Sequence, residues 1–353
     1  MSNLSKNPEV IRLAHLLGLG RRGNCLERIR KYAHQKVQEL VSRFPIDTFD
    51  SFLRLISSAL GVQIEFITQD EDIDRLAFKH AAISPTIRQQ LVAEFLRVDT
   101  EGYLLQHPHP MPGDRRFVAF VDARGPRSRR AYFTAWHELT HLLVHPPQLA
   151  LPGFRRTVVS RIQGDPIESL VNVIAGELAF YEPLFRPILD EETDRIGRLT
   201  FGVIDRARVR ATPEASLFAA AIASVRLSRM AACVVRVESA LRKGEVRELL
   251  SPQLSLDNES MTRQLEPRLR VVEVIPNEAA KASSLTIFRN MRVPPRSVLH
   301  HAYEAATDVE LEAPEDQSWW ETTQGGQLPT CHLLVQAIRR GKYVYGLILP
   351  GPN

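Results

Sequence analysis

The residues best suited to chemistry lie in the segment His-Glu-Leu-Thr-His, residues 137–141. Residues four positions apart share one face of a helix, so the imidazoles of His137 and His141 are placed to bind one metal ion, with Glu138 beside it. Zinc in such a site lowers the pKa of water towards about 7, and a neighbouring carboxylate takes up the proton as water attacks a polarised carbonyl. The segment therefore predicts a zinc-dependent hydrolase of peptide bonds, with Glu138 as the general base.

The pair of histidines needs a third ligand, because a catalytic zinc ion usually has three protein ligands. A histidine six residues after His141 is excluded, since that position is Pro147. His145 continues the spacing of four residues, but it lies about 6 Å further along the helix axis, which disfavours it. The third ligand is therefore expected from the next helix.

The start and the body of that next helix contain three acidic residues, Asp165, Glu168 and Glu177. Asp165 precedes Pro166, and the pair is a strong helix start because Asp caps a helix and Pro suits its first position. We therefore expect Asp165 to serve as the cap. Glu168 lies three residues after this cap, so the residues alone favour a capping-box glutamate and a metal ligand equally.

Two helices must position these residues. The first covers 131–144 and is expected to be buried, because its apolar residues recur at spacings of three and four. These residues are Phe133, Trp136, Leu139, Leu142 and Leu143. The second helix should begin at Pro166, run to about Tyr181 and stop near Pro183.

Helices dominate the first part of the chain. Before the motif, the apolar pattern predicts helices over 27–44 and 49–60, and strands over 62–67 and 115–121. After it, a helix over 201–209 and a second helix, capped by Thr212 and running to about Val225, have the spacing of a helix-turn-helix.

Strands dominate the last third of the chain. They are predicted over 232–238, 246–250, 268–275, 331–338 and 343–349, the final two as a hairpin. The predicted fold class is α+β. We expect a catalytic domain over 1–188, a helical connector over 189–229 and a further α+β domain over 230–353.

The composition excludes several classes of protein. With 353 residues, of which 44% are apolar and 24% charged, the chain is neither disordered nor fibrous. The longest uncharged apolar run, 217–225, is far shorter than the roughly 20 residues that span a bilayer, and the N-terminus has no apolar signal region. The sequence therefore predicts a soluble cytoplasmic protein without a membrane partner. Its three cysteines have no CxxC spacing, so we expect reduced thiols.

The net charge of +4 comes mostly from arginines in short clusters. These are Arg21 and Arg22; Arg115 and Arg116; Arg124, Arg127, Arg129 and Arg130; Arg155 and Arg156; and Arg339 and Arg340 with Lys342. Such clusters suit contacts with phosphates, because neutralising a polyanion releases its counterions. A solvated basic surface explains the same clusters, and the charge alone does not decide between the two.

Two segments resemble those of a known family. Residues 133–143, FTAWHELTHLL, resemble the FTxAHELGHxL signature of ImmA/IrrE-type metallopeptidases, and residues 168–178, ESLVNVIAGEL, resemble that family's ExxANxFAxELL segment. The resemblance implies a zincin-like fold with Glu168 as the third zinc ligand. Asn172 lies one turn further on, where it either orients a ligand or packs the helices, and we expect Glu177 to be a surface or salt-bridge residue.

Three positions depart from the family pattern. Trp136 replaces a small residue, Thr140 replaces glycine, and residues 178–181, LAFY, replace the usual ending. None of these changes removes a metal ligand.

The order of the predicted domains is similar to that of IrrE-like members, which combine a peptidase domain, a helix-turn-helix segment and a GAF-like sensor domain. The resemblance implies a zinc endopeptidase, with manganese as an alternative ion in vitro. Its expected substrate is an XRE-like helix-turn-helix repressor, cut to derepress a DNA-damage or phage-defence response. For one branch of the family, the resemblance further implies stimulation by single-stranded DNA, for which the arginine clusters offer a surface.

Two alternative functions and the roles of two residues stay open at the level of sequence. The first alternative function is a DNA-binding regulator with a residual peptidase domain. Residues 214–224, however, contain almost no basic or amide groups for reading bases. The second alternative function is a peptidase that acts on small peptides. Within the site, Cys25 is either an inhibitory thiolate ligand or a small buried residue, and Tyr132 is either an oxyanion donor or a packing residue.

Overall fold

The computed structural model describes residues 4–81, 83, 86–96, 100–107, 109–110, 113–145, 154–157 (backbone only), 165–241, 267–322 and 326–351. The chain divides into two compact units, Met1–Ile188 with Ala207–Ala219, and Leu189–Arg206 with Ala220–Asn353. The described residues form twelve α-helices and nine strands in two sheets, which confirms the α+β class.

The first unit contains seven complete helices among its described residues. They are α1 (Pro8–Leu16), α2 (Cys25–Arg43), α3 (Phe49–Ala59), α4 (Glu71–Lys79), α5 (Ile87–Phe95), α6 (Ser128–Leu143) and α7 (Pro166–Ala179). Asn7, Asn24, Thr48 and Asp165 cap four of them through side-chain oxygens that accept backbone N–H bonds. The predicted helices at 27–44, 49–60, 131–144 and 166–181 are therefore confirmed, with ends shifted by a few residues.

The sheet of the first unit has four strands in the order β1 (Val62–Ile67), β3 (Phe117–Asp122), β2 (Thr100–Gln106) and β4 (Phe154–Thr157). β1 is parallel to β3, and the other neighbours are antiparallel. The sequence predicted β1 and β3 but neither β2 nor β4.

Strand β3 lies at the centre of this unit, and all six of its residues are buried. Because side chains alternate across a strand, it covers two cores. Val118 and Phe120 pack with α4 and α5 on one face, and Val121 packs with Ala131 and Ala135 of α6 on the other. The central strand thereby fixes α6 against the sheet.

Three helices follow: α8 (Glu182–Ile196), α9 (Phe201–Ala211) and α10 (Leu217–Leu227). The predicted connector, 189–229, is thus divided between the two units. The prediction that Thr212 caps α10 is wrong. The Ala215 amide donates to the Thr212 carbonyl at 2.9 Å, which makes a turn, and Ser216 Oγ instead accepts from the Ala219 amide at 3.2 Å.

The second unit has a five-stranded antiparallel sheet in the order β6-β5-β9-β8-β7. Its strands are β5 (Cys233–Ala240), β6 (Arg268–Pro276), β7 (Glu310–Asp316), β8 (His332–Arg340) and β9 (Tyr343–Pro350), with the short helices α11 (Glu278–Lys281) and α12 (Val298–Glu304). The predicted terminal hairpin is confirmed, and its turn residue Gly341 has a φ of 58°, as a tight hairpin requires. The strand predicted at 246–250 lies outside the described residues.

A core cluster of the described residues packs against this second sheet. Trp320, Leu299, Val235 and Val335 are all fully buried in it. Among the helices of the described residues, none combines the length and the apolar character needed to cross a bilayer.

Candidate metal centre

Helix α6 carries the candidate motif through the interior of the first unit. His137, Glu138 and His141 are all buried, with exposed fractions of 0%, 1% and 5%. Burial of three ionisable side chains on one helix is costly unless they bind or pair with something. Burial therefore distinguishes this group from an ordinary cluster of charged side chains on a protein surface.

Glu168 completes a compact group with the two histidines. The Nε2 atoms of His137 and His141 lie 3.0 Å apart, and the Glu168 carboxylate oxygens lie 3.1 Å from the first and 3.2 Å from the second. In the described part of the chain, this is the group of histidine, cysteine and acidic side chains whose ligand atoms converge closely enough to hold a metal ion.

The first turn of α7 explains how Glu168 reaches the histidines. Asp165 caps the helix, and its Oδ1 accepts from the Ile167 amide at 2.7 Å and the Glu168 amide at 3.1 Å. The Glu168 side chain is directed to the two imidazoles instead of back to the cap. The capping-box interpretation of Glu168 is therefore wrong.

The electrostatics of Glu168 favour the ionised carboxylate. Burial raises the pKa of this group, but its contacts with His137 and His141 outweigh that effect and hold the pKa well below its usual value. An ionised carboxylate is the form that binds a metal ion.

Asn172 lies one turn beyond Glu168 and contacts the other side of His137. Its Oδ1 lies 3.1 Å from His137 Nδ1, so Nδ1–H donates to the amide oxygen. When Nε2 binds a metal ion, the ring proton of a neutral histidine is on Nδ1, where Asn172 is placed to accept it. Asn172 thus sets both the tautomer and the ring orientation of His137.

The donor set fits zinc. Two imidazole nitrogens and one carboxylate oxygen are the ligands of several catalytic zinc sites, and atoms bound tetrahedrally to zinc at about 2.0–2.2 Å lie about 3.3–3.5 Å apart. The separations of 3.0–3.2 Å between these side chains are close to that spacing.

No protein-family model and no curated protein matches the sequence. The site is therefore inferred from its own geometry and from the residues of segments 133–143 and 168–178.

The other candidates lie elsewhere. Glu177 is buried and forms ion pairs with Arg30 and, at 2.9 Å, with His34 Nε2, so it is an internal salt-bridge residue that links α7 to α2 and does not lie on the surface. Tyr132 donates its hydroxyl to the Ala179 carbonyl at 2.9 Å, and burial raises its pKa. Tyr132 is therefore engaged in packing α6 against α7.

Cys25 and His145 do not join the group. Cys25 is fully buried at the start of α2, where its Sγ lies 3.7 Å from the Arg21 carbonyl oxygen. His145 lies beyond the end of α6 and is not among the converging ligand atoms of the described residues. Of the candidate third ligands, Glu168 alone reaches the two histidines.

The departures from the family pattern are explained by packing. Trp136 is fully buried with its ring 4.9 Å from that of Phe52, and Thr140 donates its hydroxyl to the Trp136 carbonyl at 2.7 Å. Tyr181 stacks on Phe52 at 4.5 Å. Trp136 and Tyr181 thus both pack on Phe52 of α3.

Glu138 lies against strand β2 at Gly102, a residue that the sequence did not indicate as part of the site. A Cβ built on Gly102 would lie 2.7 Å from Glu138 Oε1 and 2.9 Å from Thr134 Cγ2. A glycine inside a strand signals such a close approach, but β2 itself was not predicted.

The arginine cluster before α6 is used within the protein. Arg124 makes two bonds to Asp122 at 2.8 and 2.9 Å, Arg127 pairs with the same carboxylate, and Arg130 pairs with Glu101 at 2.8 Å. Burial raises the pKa of Asp122, but the bonds and charges of its arginine partners outweigh it and lower the pKa. These three arginines are ion-pair partners of buried acids. This role differs from both interpretations of the cluster, a solvated basic surface and a phosphate-binding site.

We expect Asn172→Ala to weaken zinc binding by about 10–100-fold, because loss of an outer partner leaves a histidine ligand free to change tautomer and rotate. Competition with a chromophoric chelator measures this affinity. Gln35→Ala, at an exposed residue of α2, is the control and should bind zinc as the wild type does. Equal affinity of the two variants would contradict the role assigned to Asn172.

Proposed function

We propose that the protein is a zinc-dependent endopeptidase that cleaves a helix-turn-helix repressor and thereby derepresses a DNA-damage or phage-defence response. The observation that carries the proposal is the convergence of His137, His141 and Glu168 at 3.0–3.2 Å, with Glu138 adjacent on the same helix. The resemblance of residues 133–143 and 168–178 to ImmA/IrrE-type metallopeptidases supports the choice of substrate class.

The chemistry follows from the residue types. His137, His141 and Glu168 would hold the zinc ion, which would supply a Lewis acid for the peptide carbonyl and for the attacking water. Glu138 accepts a proton from the water molecule while the water oxygen attacks the carbonyl carbon of the peptide bond. The same carboxylate then delivers the proton to the amide nitrogen as the C–N bond breaks.

Burial helps Glu138 in this role. The carboxylate is 1% exposed and lies between α6 and the backbone of β2 at Gly102. This enclosure limits the positions that the carboxylate can adopt, as a proton-transfer group held at a fixed place requires.

The alternative of a DNA-binding regulator finds less support. The candidate recognition segment, 214–224, overlaps α10, and every residue of α10 is buried or only partly exposed. A helix enters the major groove with an exposed face that carries polar side chains. Stimulation by single-stranded DNA stays part of the proposal on the resemblance alone, since Arg124, Arg127 and Arg130 have acidic partners.

The test compares zinc-loaded with chelator-stripped protein on the helix-turn-helix protein encoded beside its own gene. We expect a single cut, mapped by mass spectrometry, that disappears on stripping and returns with zinc. An arm with single-stranded DNA at several salt concentrations tests the stimulation, which should weaken as salt rises.

Two results would contradict the proposal. Cleavage of a generic peptide library without cleavage of the repressor would indicate a peptidase of small peptides. Zinc-loaded protein that cuts neither substrate would overturn the enzymatic function.

A further inference from the structure

One stripe of α6 lies along strand β2. Arg130, Thr134 and Glu138 follow at spacings of four residues, so they share a face of the helix over about 12 Å. At one end of the stripe, Arg130 Nη1 lies 2.8 Å from Glu101 Oε1. At the other, Gly102 lies against Thr134 and Glu138. Two consecutive residues of β2 thus contact the helix that carries the general base.

The backbone of β2 is irregular at this point. Thr100 pairs with Thr157 of β4, and Gly102 pairs with the adjacent Arg156, so Glu101 is an extra residue. Such bulges bend a strand and change the direction of a side chain, and they are frequent beside active sites. Glu101 is buried and turned to Arg130.

A second contact holds the same segment. Arg127, immediately before α6, donates from Nη1 to the Thr100 carbonyl at 2.9 Å. Thr100, Glu101 and Gly102 therefore each contact α6 or the residue that precedes it.

The position of Arg130 has an electrostatic cost that its partner offsets. Arg130 is the third residue of α6, where the helix dipole disfavours positive charge. Its guanidinium is partly exposed and its partner carboxylate is 4% exposed, so the pair is screened less than a surface pair. The interaction therefore fixes the strand against the helix more firmly than a surface ion pair.

The contact with Gly102 restricts the position of the Glu138 side chain. The space that a Cβ would occupy is taken by the Glu138 carboxylate, 2.7 Å away, and by Thr134. A shift of β2 towards α6 would displace the carboxylate, and a shift away would free it to move.

We propose that the Glu101–Arg130 ion pair, with the bulge at Glu101, holds Gly102 against Glu138 and so fixes where this carboxylate lies. Glu101, Gly102 and Arg130 are positioning residues for the general base. The inference rests on the proposed function, since it specifies how the base of that reaction is oriented.

The test measures the kinetics of repressor cleavage by Glu101→Gln and Arg130→Ala. Because a misplacement of about 1 Å costs up to about 10²-fold in rate, we expect kcat to fall by about 10–100-fold in both, with KM and zinc affinity within about threefold of the wild type. Arg130→Lys, which keeps the charge, should restore part of kcat. Arg129→Ala, at the exposed neighbouring arginine, should leave kcat unchanged.

A thermal unfolding curve of each variant keeps the test independent of folding, because all rates are measured below the unfolding transition. Gly102→Ala provides a second approach to the same contact and should lower kcat without loss of zinc. Variants with a lowered Tm and an unchanged kcat would show a purely structural ion pair and overturn the inference alone. An inert wild type would overturn the proposed function and this inference with it.

Discussion

Glu138→Gln is expected to lower the rate of repressor cleavage by about 10²–10⁴-fold, the range that a positioned general base contributes. Glutamine has the shape of glutamate but cannot take up and return the proton. The converging ligand atoms belong to His137, His141 and Glu168, so zinc should stay bound at the wild-type stoichiometry. Single-turnover cleavage and metal analysis of the same sample measure the two quantities.

The control is Glu39→Gln, the same chemical change at an exposed residue of α2. It should cleave as fast as the wild type. If Glu138→Gln also cleaved at the wild-type rate, another group would have to transfer the proton. If it lost its zinc, the rate would report the metal site and not the base.

The helices that carry the site were predictable because their signals are local. The spacing of His137 and His141 and the helix start at Asp165 and Pro166 each lie within a few residues. Periodicity located α6, and the helix start at Asp165 and Pro166 located α7. The choice of Glu168 over a capping role needed the structure, because both roles place a glutamate at the same helical position.

Strand β2 shows why the rest was not predictable. Its sequence, TEGYLLQ, has no regular alternation, and it is held by pairing with β3 and β4 and by contact with α6. Residues 101 and 102 acquire their roles from a bulge and from a helix more than 25 positions later in the chain. A pattern search within one segment does not contain this information.

The partners of charged residues were not predictable for the same reason. Glu177 was expected at the surface or in a salt bridge, and Arg30, its partner from α2, is separated from it by 147 residues. A cluster of arginines in sequence shows where positive charge lies but not which buried acids it neutralises. Asp122 and Glu101 are the partners that the structure adds.

Glu168→Gln is expected to weaken zinc binding by more than the roughly 10–100-fold that loss of an outer partner costs, because it removes a charged ligand itself. The amide keeps the size of the side chain, so the loss reports charge and not a cavity. Chelator competition gives the affinity directly. Glu182→Gln, at an exposed residue of α8, is the matched control and should not change it.

Thermal unfolding offers an independent measure of the same change. A ligand that binds only the folded state adds about 2.7 kcal/mol when its free concentration is 100 times Kd. For domains of about 150–250 residues, each kcal/mol raises Tm by about 2–4 °C. Wild type and Glu182→Gln should therefore gain several degrees with zinc, whereas Glu168→Gln should gain little at the same concentration. An equal gain in all three proteins would exclude Glu168 as a ligand and leave the two histidines to be completed by another group.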